Sequence, residues 1–124
     1  MDKVEFKAKF AHASIEKKDN YYLVGLAEDE FDYEKYILFQ KPYKFGKNDN
    51  PNAKSNGIYV ECNGDSCFNC CKEIRINHKN LTLVVQESQI IIDIENVDLP
   101  KNFVEYLKGI FGDLLQINME QSFE

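Results

Sequence analysis

Lys72-Glu73-Ile74-Arg75-Ile76-Asn77, Leu81-Thr82-Leu83-Val84-Val85-Gln86 and Ile90-Ile91-Ile92-Asp93-Ile94 decide the fold class. In the first stretch Ile74 and Ile76 alternate with charged residues, the period of two expected of a half-buried strand. Leu81, Leu83 and Val85 repeat that spacing, and the third stretch is strongly β-branched, which suits a pleated surface. His78-Lys79-Asn80 and Ser88-Gln89 supply turn residues between them. Three strands joined by such short links predict an antiparallel meander.

Upstream, Val4, Phe6, Ala8 and Phe10 alternate with Glu5, Lys7 and Lys9, and the alternation runs on to Ile15. This predicts one strand, closed by the turn residues Lys17-Lys18-Asp19-Asn20. Residues 21–27 are apolar throughout and predict a well-buried strand, forming a hairpin with the first. Residues 36–40 predict a third strand that ends at Pro42, and residues 57–61 a short fourth. Residues 46–56 are Asn, Lys, Asp and Pro with almost nothing apolar, the composition of an exposed loop. Residues 63–69 read as a turn-rich connection.

Downstream of the meander the period changes. Phe103, Leu107, Ile110, Phe111 and Leu114 recur at helical spacing. Pro100 is suited to the first helical position. One helix of about three turns, with its apolar stripe on the sheet, is expected. Gly109 or Gly112 would end it, and Leu115-Gln116-Ile117-Asn118-Met119 would add an edge strand. The expectation is therefore one α+β domain over residues 1–124. It is a mostly antiparallel sheet of six to eight strands with one main helix near the C-terminus packed on it.

The chain has 124 residues, 44% of them hydrophobic, enough to form a core without metal or disulfides. Its formal net charge is -6. An acidic surface repels nucleic acid and anionic membranes, so neither is expected as a partner. No stretch approaches the roughly 18 uninterrupted apolar residues of a membrane span. The opening residues alternate charge and apolarity, unlike a secretory signal, so the expected compartment is the cytoplasm. The four cysteines are then expected as thiols.

Those cysteines, Cys62, Cys67, Cys70 and Cys71, have the spacing C-x4-C-x2-C-C. Cys67 and Cys70 form one knuckle that suits zinc. Cys62 or His78 would have to complete the set, and neither gives a standard spacing. A zinc-binding module over residues 62–71 is the alternative reading, with a redox dithiol or a Cys71–His78 nucleophile behind it. Buried or surface thiols are the plainer one. The histidines, His12 and His78, sit in no recognisable nucleophile motif. No G-x-S-x-G, H-E-x-x-H or G-x-G-x-x-G occurs. No catalytic residue, cofactor or metal is assigned, and the chain is not read as an enzyme.

The acidic run Glu28, Asp29, Glu30, Phe31, Asp32, Tyr33 and Glu34 is the candidate partner-binding segment. A solvated face is the ordinary meaning of such a run. Aromatics interleaved with charge are also what interface hot spots use. The loop over residues 46–56 is a second candidate surface, less attractive because it is basic.

The order of segments resembles a known family. Phe6-Lys7-Ala8 is followed by Tyr22-Leu23-Val24-Gly25-Leu26-Ala27-Glu28, then Tyr36-Ile37-Leu38-Phe39-Gln40, then Tyr59-Val60-Glu61. Two late strands and the helix with Phe103, Leu107 and Phe111 complete the pattern. This is similar to the immunity protein 10 family of bacterial polymorphic toxin systems, over about residues 3–117. The resemblance implies a cytoplasmic protein, encoded beside a toxin gene, that binds and blocks the cognate toxin domain. A basic nuclease is one such toxin, and an edge strand offers a route to a homodimer. The resemblance implies no catalysis and no cofactor, and transfers no partner-binding residues. The cysteine-rich segment departs from it.

Overall fold

The computed structural model describes residues 2–16, 20–29, 35–42 and 57–118, with the Asp2 side chain left out. In chain order the strands are β1 (Asp2–Lys7), β2 (Phe10–Glu16), β3 (Tyr21–Ala27), β4 (Tyr36–Pro42), β5 (Tyr59–Cys62), β6 (Asp65–Phe68), β7 (Cys71–Asn77), β8 (Asn80–Val85), β9 (Ser88–Asp93) and β10 (Leu115–Asn118). One helix, α1 (Phe103–Phe111), precedes β10 and runs into a 3-10 turn over Gly112–Leu114. The architecture is the expected one, mostly antiparallel β with a helix near the C-terminus. The strand count differs: ten among the described residues, divided between two sheets.

The sheet centred on β8 has the order β1-β9-β8-β7-β10. Its middle is the meander expected from residues 72–94, and β1 and β10 join its two edges in parallel. The sheet centred on β4 has the order β2-β3-β4-β5-β6 and is antiparallel throughout. Inward side chains of both sheets form one core with α1. The β8 sheet contributes Ile74, Ile76, Leu81, Leu83, Ile90 and Ile92, and the β4 sheet Val24, Leu26, Ile37, Phe39 and Val60.

Three local readings are corrected. The long alternation from Val4 to Ile15 is two strands in different sheets, not one. Ala8 N–H donates to the Asp93 carbonyl (2.9 Å), and the next amide, Lys9, donates to Ala27 (2.9 Å). The chain crosses between sheets with no turn residue to mark the step. Residues 63–69 are more than a connection, since β6 lies within them. The hinge is Asn63-Gly64, both at positive φ, the pairing that matches a two-residue hairpin to strand twist. Pro100 does not open the helix at its first position. Its carbonyl accepts from Phe103 N–H (3.0 Å) in a preceding turn, and the helix starts at Phe103.

The helix is held by its apolar stripe. Phe103, Leu107, Ile110 and Phe111 are buried, and Phe111 meets Phe39 edge-on at 5.0 Å. Gly112, at φ +57, ends it, as expected of a glycine beyond the last helical turn. Gly109 lies inside the helix for a packing reason. A Cβ placed there would stand 2.5 Å from Tyr22 Cζ. Tyr22 in turn packs on Tyr106 at 5.5 Å. Gly109→Ala should therefore destabilise the fold by about 1–3 kcal/mol, although alanine favours a helix by about 1 kcal/mol. Urea unfolding would check it, and a gain in stability would mean that Tyr22 moves aside freely.

Candidate partner-binding face

The alternation that sends Val24, Leu26, Ile37, Phe39 and Val60 inward sends their neighbours to the far side of the β4 sheet. Along β2 these are Phe10, His12, Ser14 and Glu16, and along β3 Tyr21, Leu23, Gly25 and Ala27. On β4 they are Tyr36, Leu38 and Gln40, on β5 Tyr59 and Glu61, and on β6 Ser66 and Phe68. Residues 21–27 were expected to be well buried, yet only Val24 and Leu26 are. Phe10 and Phe68, 41% and 48% exposed, stand on the two edge strands of this same face.

The outer face of the β8 sheet is the contrast. It carries Lys3, Glu5 and Lys7 on β1, Gln89, Ile91 and Asp93 on β9, Thr82 and Val84 on β8, and Glu73 and Arg75 on β7. Exposed ion pairs join Lys3 to Glu5 (3.8 Å) and Arg75 to Glu73 (3.2 Å). Such pairs add little stability and keep a face soluble. One sheet thus turns a mixed-charge surface outward, and the other turns out aromatic and aliphatic side chains interspersed with His12, Ser14, Glu16, Gln40, Glu61 and Ser66.

A depression of about 640 Å³ lies in the aromatic face. Phe10, Leu23, Leu38 and Tyr36 are among its walls, with Asp29 and Glu61 as its carboxylates. Glu61 is fixed by two phenols: Tyr36 O–H donates to one oxygen and Tyr59 O–H to the other, the latter at 2.5 Å. Tyr59 leans on Phe68 at 5.3 Å. Tyr36 is itself tied to the β5–β6 turn. Its amide donates to Asn63 Oδ1 (2.8 Å), and Gly64 N–H donates to its hydroxyl (3.1 Å). The hydrogen bonds from Tyr36 and then Tyr59 hold the Glu61 carboxyl below its usual range, against a small opposing effect of burial. The same bonds push both phenols up.

The first two residues of the acidic run, Glu28 and Asp29, meet this face at the β3–β4 end. Glu28 is half-buried, its amide donating to the Lys35 carbonyl (2.9 Å), and Asp29 is exposed. Glu30, Phe31, Asp32, Tyr33 and Glu34 lie outside the described residues, as does the loop over residues 46–56. Sequence reading missed Glu61, Tyr59 and Phe68. Their signal was the Asn63-Gly64 pair, which reveals the β5–β6 hairpin and hence which residues share a face.

The cysteines come apart in the structure. Cys67 and Cys70 form a disulfide, with Cα atoms 6.1 Å apart, so the expectation of four thiols fails for that pair. Cys62 and Cys71 are free thiols, and burial pushes both up to about 11. Among the described residues no group of three or more His, Cys, Asp or Glu is placed to hold a metal, which leaves the zinc reading without a ligand set. His78 lies in the turn after β7 and Cys71 at its opposite end, roughly 20 Å apart at the rise of a strand. They cannot share a proton.

On β2, His12 Nε2 lies 2.9 Å from Ser14 Oγ, and Ser14 donates to Glu16 at 2.5 Å. The single hydroxyl proton is directed to the carboxylate, so His12 N–H is the donor to Ser14. That polarity is the reverse of the one that activates a serine.

An open sheet face with aromatics at its edges, apolar walls and a fixed carboxylate has the composition that protein–protein interfaces share. The family described as Immunity protein 10 matches residues 7–96, most of the chain, and the chain belongs to that family. The match takes in β2 through β9 and stops short of the helix. No curated protein and no solved structure matches the chain. Among the described residues no helix is long and apolar enough to cross a membrane.

Two outcomes follow from the site. In the folded chain the two phenol hydrogen bonds hold Glu61 below the ordinary carboxyl value of 4.5, so its contribution to stability is present above pH 4.5 and lost as pH falls through the folded value. Tyr36 titrates above 10.0, so its contribution holds below pH 10.0 and is lost as pH rises through its folded value. Tyr36→Phe should therefore cost about 1 kcal/mol near neutrality. In thermal unfolding the gap in Tm should narrow toward both extremes, and a pH-independent gap would remove the Glu61 link. At pH 7 the two thiols should alkylate about 100-fold more slowly than free cysteine. Iodoacetamide labelling followed by mass spectrometry reads this, and fast labelling of either would revive the nucleophile reading.

Proposed function

We propose that this chain neutralises a cognate toxin domain by direct contact through the outer face of the β4 sheet. The carrying observation is the asymmetry between the two outer faces. One is a balanced charged surface, whereas the other leaves Phe10, Leu23, Leu38 and Phe68 facing outward. Membership of an immunity-protein family supplies the kind of partner. A net charge of -6 favours a basic toxin, of which a nuclease cleft is one type, because opposite fields raise the encounter rate. The acidic run at residues 28–34 then supplies the steering charge and the aromatic face the adhesive centre. The reading places the protein in the producer's cytoplasm, without catalysis. A reducing pool there would act on Cys67–Cys70. Cys67 pairs across from the inward Val60, so the docking face does not depend on that bond.

Matched substitutions on the two sheets test this. Leu38→Ser should weaken binding to the toxin domain encoded beside the chain by about 10-fold or more, and abolish protection of cells that express it. Ile91→Ser, an equivalent change on the opposite outer face, should leave both nearly unchanged. Full protection by Leu38→Ser would overturn the choice of face. Reversing Asp29, Glu30 and Asp32 to lysine should slow association about 10-fold or more at low salt, with the difference shrinking as salt rises. An unchanged rate would remove the steering role.

A further inference from the structure

We infer that Glu61 is the seat for an arginine side chain of the bound toxin, an assignment that rests on the immunity reading. The depression has apolar walls, two carboxylates and His12, which is engaged with Ser14, and among the described residues no lysine or arginine lines it. Among the described residues no cation pairs with Glu61. Its two phenol donors occupy one site on each oxygen. A carboxylate offers about four acceptor sites, so room for a two-pronged donor remains.

Docking makes this acceptor capacity matter. A toxin covering the face removes water from Glu61. A buried carboxylate without a cation is strongly unfavourable, so a partner with a neutral surface there would be rejected. The phenols hold the carboxylate charged and aimed before binding, which lowers the ordering cost at the interface. Between the two basic side chains the walls favour arginine. A guanidinium lays a flat, weakly hydrated face along the apolar and aromatic wall formed by Leu38 and Tyr36 while its edge meets the carboxylate, whereas an ammonium does neither as well. Glu61 thereby sets specificity: it admits toxins with arginine at that position and penalises those without.

The test uses the full chain and the purified toxin domain from the neighbouring gene, in isothermal titration. Glu61→Gln should weaken binding by at least about 30-fold. Glu73→Gln on the opposite sheet should stay within about 2-fold. Unfolding curves of each variant establish that it is folded. Each toxin arginine and lysine is then changed singly to Met and titrated against both backgrounds. One arginine should lose affinity with the wild-type chain and lose little further with Glu61→Gln, the signature of a coupled pair. If the wild type binds and Glu61→Gln binds equally well, the seat is overturned while the immunity reading stands. Coupling to a lysine instead overturns the arginine assignment. Absence of wild-type binding removes the immunity reading, and the seat with it.

Discussion

Phe39 fixes which side of the β4 sheet faces inward, and most of the surface follows from that choice. It is wholly buried, set edge-on against Phe111 of the helix, and lies opposite Val24 on β3 and Val60 on β5. A shift of one residue in any of these strands would turn its buried set out to water and its outer set inward. Register is therefore strongly specified by the core. With Ile37 and Phe39 inward, Tyr36, Leu38 and Gln40 have no option but the outer face. The aromatic surface is not assembled by a loop; it is the other side of a packed sheet. Its side chains stand on a rigid support, which suits tight recognition because little remains to be ordered on binding.

That same constraint explains an excess in the sequence. Strands with one face in water read as an alternation, as in β7, where Ile74 and Ile76 are flanked by charges. Residues 21–27 and 36–39 do not alternate; they are apolar or aromatic at both parities. The usual cause is burial on both faces. Among the described residues only one face is covered, leaving Leu23 and Leu38 half-exposed. Hydrophobicity beyond what the core consumes is what a partner would cover. The sequence pattern and the open face are one observation made at two levels.

Much of the fold was legible for this reason, and the misreadings have physical causes. The residue 72–94 meander and the helical stripe were plain because each buries one face and alternates cleanly. The step from β1 to β2 was invisible because strand alternation continues unbroken across Ala8 and Lys9 while hydrogen-bond partners change from Asp93 to Ala27. Periodicity reports which side of a strand is buried, not which sheet buries it. β6 was hidden because Asp65-Ser66-Cys67-Phe68 has little β-branched character, and only the Asn63-Gly64 turn announces it. The acidic run stands out in a linear sequence because charge is visible there. Glu61 does not, because what fixes it is Tyr36, 25 residues away in sequence.

The Tyr36 corner joins these levels. Its amide and carbonyl clasp Asn63, and its hydroxyl accepts from Gly64 and donates to Glu61. One residue thus registers the β5–β6 hairpin against β4 and fixes the carboxylate on the outer face, between Leu38 and Ser66. In the folded chain Glu61 keeps contact with water and with both phenols, so its charge costs the fold little. A partner laid over the face would change that balance, because a carboxylate taken out of water needs a positive charge to meet it.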